Sequence, residues 1–147
     1  RIIGVTEELS AQDIYQLGKE IEPFAIASGT RMGHVHLSVK NSRESSVFYQ
    51  ESLGLEDKFT IPHASWIASG DYHHHLAVNE WGGKNLVRRK NGMVGLAYYV
   101  VEVENKEFLV NLFTQAQDWQ EQLRWISSSE FSVTDKDGIV TRVRVEN

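Results

Sequence analysis

A pattern of apolar and polar positions recurs along the chain. Gly33 to Gln50 reads GHVHLSVKNSRESSVFYQ, and Ala97 to Thr114 reads AYYVVEVENKEFLVNLFT. Each segment opens on a run rich in β-formers, passes an asparagine (Asn41 or Asn105) in the same register, and enters a helical pattern. In the first copy Asn41 caps a helix, and Glu44 three residues on completes a capping-box-like start. Val47, Phe48 and Leu53 form an apolar face that Tyr49 and the serines interrupt, and Gly54 supplies the stop. In the second copy Phe108, Leu109, Leu112, Phe113 and Ala116 form a stronger amphipathic stripe.

Three strands are predicted after each helix. They are Leu55–Thr60, Ser65–Ala68 and His73–Asn79 in the first half, then Leu123–Ser127, Phe131–Thr134 and Ile139–Val145 in the second. Asp137-Gly138 marks a tight turn before the last strand. The reading is therefore α+β, with two βαβββ units: residues 31–81, a connecting loop at 82–94 that carries Gly82-Gly83 and Asn91-Gly92, and residues 95–147. Residues 1–30 lie outside the repeat as a leader or linker. Within them a short helix starts near Ser10 and runs to Leu17, Gly18 ends it, and Pro23 bars its continuation.

Composition narrows the chemistry. The 147 residues are 41% hydrophobic, enough for an ordinary core in one domain. There is no cysteine, so disulfides, zinc thiolates and cysteine nucleophiles are excluded, and a metal would need nitrogen or oxygen ligands. The formal net charge of −5 and the lack of a long basic stripe argue against nucleic acid as the partner, and Arg88-Arg89-Lys90 reads as a solvated loop. No apolar run reaches the length of a membrane span and no signal peptide is visible, so a cytoplasmic protein is expected. The first residue is Arg1, which fits a fragment or a processed product.

Three runs carry a resemblance. GTRMGHVHLSVKNSRESSVFYQESLG, with Phe48-Tyr49 followed by Leu53-Gly54, resembles the opening strand, helix and glycine stop of the vicinal oxygen chelate superfamily, the glyoxalase, bleomycin-resistance and extradiol-dioxygenase group. SGDYHHHLAVNEWGGK is similar to the fourth strand of its catechol 2,3-dioxygenase-like members. TDKDGIVTRVRV resembles the group's final turn and strand, with Lys136 in place of the usual proline. The resemblance covers about Gly29 to Val145. It implies a curled mixed sheet around a cleft, two such modules in tandem, and a first module absent from this chain.

The resemblance also implies metal-ligand positions on the first and fourth strands of each unit. They fall on His34, His75, Tyr98 and Arg142. His34 and His75 are the candidate metal ligands, and iron or manganese is the expected metal of a full-length parent. Strand alternation then places His36 and His73 in the cleft and turns His74 away. His36, His73, Tyr98 and Arg142 are the candidate substrate-binding residues, for a small aromatic ligand. Tyr98 and Arg142 stand where two ligands belong, and a guanidinium has no lone pair for a metal. The expected function is the non-catalytic C-terminal half of an extradiol, ring-cleaving protein, partnered by its missing N-terminal module or by a second copy in a homodimer. The alternative is a metal-independent binding module of the bleomycin-resistance type. His63 reads as a surface loop residue, Asp135 and Asp137 as turn residues, and Glu80 as a carboxylate pointing away from the cleft.

Overall fold

The computed structural model describes residues 8–18, 25–83, 85–90 and 92–146. Pro23 and Asn91 lie outside the described residues. The chain divides into two units, residues 1–33 and 34–147. The first holds α1, Ala11–Leu17, capped by the Ser10 side chain and ended at Gly18. The second holds everything that follows.

In the second unit β1 (Val35–Ser38) leads to α2 (Ser42–Leu53), then to β2 (Glu56–Ile61), β3 (Ala64–Ala68) and β4 (Leu76–Asn79). The pattern repeats as β5 (Tyr99–Val103), α3 (Lys106–Gln115), β6 (Leu123–Ser127), β7 (Glu130–Thr134) and β8 (Val140–Val145). Each half forms a mixed four-stranded sheet, ordered β1-β4-β3-β2 and β5-β8-β7-β6. The parallel pairs are β1 with β4 and β5 with β8. An irregular 3-10 segment, Ala116–Gln122, follows α3 and was not foreseen. Among the described residues no helix is long and apolar enough to cross a membrane.

The caps act as expected. Asn41 accepts from the Glu44 amide and Asn105 from the Phe108 amide, which satisfies helix-end donors that would otherwise lack partners. Gly54 ends α2 in the left-handed region (φ 66°), and a β-carbon there would come within 3.1 Å of the Leu112 side chain. That position therefore needs glycine for its conformation and for the approach of α3.

One face of each sheet and the two helices share a single core. Leu37, Ile67, Leu76 and Val78 come from the first sheet, and Tyr99, Phe131, Val133 and Val143 from the second. The inward face of α2 differs from the expected one. Val47 is exposed, whereas Tyr49 and Ser42, Ser45, Ser46 and Ser52 are buried. Two of these apparent interruptions are contacts: the Ser46 and Ser65 hydroxyls lie 2.8 Å apart, and the buried Tyr49 hydroxyl donates to Asp135 at 2.7 Å. Asp135 thus exceeds its expected turn role. It also accepts from the Ile139 amide, and burial pushes its carboxyl above the ordinary range.

Removing the tyrosine hydroxyl leaves a buried carboxyl short of a partner. Tyr49→Phe is expected to lower the unfolding free energy by about 1–3 kcal/mol in urea titration. Tyr15→Phe, at an exposed position, should leave the midpoint unchanged. Equal midpoints for the two variants would contradict the role given to this bond.

Candidate functional site

The face of each sheet away from the helices carries the polar residues. In the first sheet β1 buries Leu37 and presents His36 and Ser38 on the other side. His34 immediately precedes β1. Two backbone bonds anchor His75 beside it: the Val35 amide donates to the His75 carbonyl, and the His75 amide to the Ile67 carbonyl.

The regular strand begins only at Leu76, so His73, His74 and His75 sit in the turn that enters β4. Alternation does not apply to them, and the expected orientation of His74 is corrected. Its ring lies 4.2 Å from that of His34, and its Nε2 is 3.2 Å from the Nε2 of His36. His73 joins the group, 6.0 Å from His34 and 4.5 Å from His74, ring to ring. One nitrogen from each of His34, His73 and His74 lies within 4.8 Å of the others. His75 stands apart from that trio. Its Nδ1 accepts the Ser69 amide at 3.2 Å and its ring lies against Tyr72.

The cluster favours uncharged imidazoles. Burial, then the neighbouring His34 and His73, hold His74 down to about 4. Burial followed by His34 lowers His36. At neutral pH these rings keep lone pairs for a metal or a hydrogen-bond donor.

Tyr98 and Arg142 meet on the second sheet. The Arg142 guanidinium lies 3.9 Å from the centre of the Tyr98 ring, and its Nη1 is 3.5 Å from Glu130. Among the described residues no hydrogen bond or ring contact joins this pair to the histidines. The ligand set implied by the resemblance does not fit: at Arg142 a permanent cation stands where a carboxylate is needed, and it covers the phenol at Tyr98.

Three further residues or runs make contacts beyond those expected. His63 is an exposed turn residue, as expected. It adopts φ 70° in the β2–β3 turn and its Nδ1 lies 2.7 Å from Glu80. The other Glu80 oxygen accepts from the Ser42 amide and hydroxyl, tying the end of β4 to the start of α2. Arg88-Arg89-Lys90 is not free of the fold, because the Arg89 amide donates to the Asp137 carbonyl at 2.8 Å. No signal in the sequence pointed to that contact beyond Gly138 itself.

No family model matches the sequence. Over 87 residues the chain is 32% identical to a catechol-2,3-dioxygenase of Bacillus subtilis, a match spanning 58% of this chain and 30% of that protein. A glyoxylase/bleomycin resistance protein/dioxygenase domain from Frankia sp. EAN1pec superposes with a TM-score of 0.62, covering 82% of this chain and all of that one at 17% identity. Lactoylglutathione lyase from Agrobacterium tumefaciens follows the same path with a TM-score of 0.57 and 15% identity, covering 81% and 96% of the two chains. The chain has the glyoxalase/bleomycin resistance/dioxygenase fold. In it the first sheet is flanked by nitrogen donors and the second presents cations.

Glu80 gives the site a pH signature. The Ser42 amide, then His63 and the Ser42 hydroxyl, draw its carboxyl from about 4.5 down to about 2. The folded value is the lower one, so this stabilisation is fully present above about 4.5 and is lost as pH falls through about 2. Glu80→Gln should flatten the urea midpoint across that window, and an unchanged profile would remove Glu80 from the account.

Proposed function

We propose that this chain is a module of a catechol-2,3-dioxygenase-like protein that does not cleave aromatic rings by itself, and that a companion module completes the protein. The 32% identity to a catechol-2,3-dioxygenase supports the kinship, and the match spans only 30% of that relative. The observation that carries the reading is Arg142, held over Tyr98 and beside Glu130, at a position where the resemblance implies a metal ligand. A two-histidine, one-carboxylate iron site has no third ligand there.

The histidine cluster supports a different metal role. Three imidazoles, those of His34, His73 and His74, form an all-nitrogen set, which suits zinc, copper or nickel better than manganese. A metal–nitrogen bond of about 2.0–2.1 Å requires the rings to close in modestly, and their exposure leaves room for that.

Two measurements test the reading. Ferrous iron and catechol, supplied to the purified chain, should yield no ring-opened product. Turnover that disappears in His34→Ala would overturn the proposal. In zinc titrations of untagged protein, His74→Ala should lose near-stoichiometric binding and His75→Ala should keep it. The reverse order would restore the His34–His75 pair as the site.

A further inference from the structure

The second sheet bears a row of side chains that the metal question leaves unused. Val100, Arg142, Ser132 and Arg124 pair in register across β5, β8, β7 and β6, so their side chains share the open face. Arg124 and Arg142 stand two inter-strand spacings apart, about 10 Å at the backbone, with the Ser132 hydroxyl between them. In the next row, Glu102, Arg144 and Glu130, Arg144 binds Glu102, and Glu130 reaches across to Arg142 of the first row. Among the described residues Arg124 is the first-row cation with no carboxylate partner.

The connecting loop adds to it. Arg88, Arg89 and Lys90 line one groove with Arg124 and Arg142, and its volume is about 570 Å3. Among the described residues no carboxylate pairs with Arg88, Arg89, Lys90 or Arg124. The nearby Asp137 carboxylate accepts from the Lys40 amide. A backbone device holds the loop in place. Gly138 has φ 84°, and a β-carbon there would meet the Arg89 carbonyl at 2.5 Å, so glycine is what lets the loop lie against the β7–β8 turn. Beyond Arg89 and Lys90 a second groove of about 430 Å3 runs past Met93, Val94 and Val140, which are apolar.

We infer that this groove binds a small organic anion, its carboxylate or phosphate groups held by the guanidiniums of Arg89 and Arg124 and its apolar body lying along Met93 and Val140. Its volume lies in the range of small-molecule sites. A short basic groove in a chain of net charge −5 suits such a ligand better than a nucleic-acid backbone, which needs an extended basic stripe. The inference does not depend on the histidine cluster.

Calorimetric titration with phthalate, an aromatic dianion, tests it, with pyrophosphate as an anion lacking the apolar body. Phthalate should bind saturably and more weakly as salt rises. Arg89→Glu and Arg124→Glu should each weaken it about tenfold or more. Arg89 contributes its loop contact through the backbone, so the substitution removes charge and leaves that contact. Arg43→Glu on α2 and His74→Ala should bind as the parent does. Absent phthalate binding, or equal binding by all variants, would overturn the site. Pyrophosphate bound as tightly as phthalate would overturn the organic-anion assignment in favour of inorganic phosphates.

Discussion

A hydrogen bond between residues 86 positions apart holds the two repeats in one arrangement: the buried Tyr49 hydroxyl of α2 to the buried carboxyl of Asp135, after β7. Hydrophobic burial favours many ways of packing two similar halves, because apolar contact is non-directional. A buried carboxyl that lacks a donor is costly, so this pair selects among them. Asp135 also accepts the Ile139 amide, which closes the turn holding Gly138, and Gly138 in turn admits the connecting loop. The positions of Arg88 to Lys90 thus trace back to one tyrosine in the core.

The fold was legible because its signals are local. The repeat, the asparagine caps and Gly54 each act within a few residues, and the strands after both helices formed close to their expected bounds. The inward face of α2 was harder to read. Tyr49 and Ser46 look polar until their partners at the β7–β8 turn and on β3 are in place. The histidine run failed for a related reason. Period-two alternation assigns faces only inside a strand, and β4 starts one residue after His75. The ends of a strand are where a one-residue difference reverses a side chain, and that is where the candidate ligands lie. The role of the basic loop depends on a contact between Arg89 and Asp137, which no local pattern encodes.

The open face divides by charge. At the first sheet burial, followed by neighbouring imidazoles, lowers the basicity of His36 and His74. On the second sheet Arg142 and Arg144 are paired with Glu130 and Glu102, and among the described residues Arg124 has no carboxylate partner. The imidazoles offer a divalent cation lone pairs, whereas the guanidiniums of the second sheet repel it.

The most direct test of that division is a crystal structure of the chain soaked in zinc, with anomalous scattering to locate the metal. The account predicts a single strong peak bonded to ring nitrogens of His34, His73 and His74, with Arg142 still lying over Tyr98. A metal shared between His34 and the second sheet, with Arg142 displaced, would contradict it and return ring-cleaving chemistry to this chain.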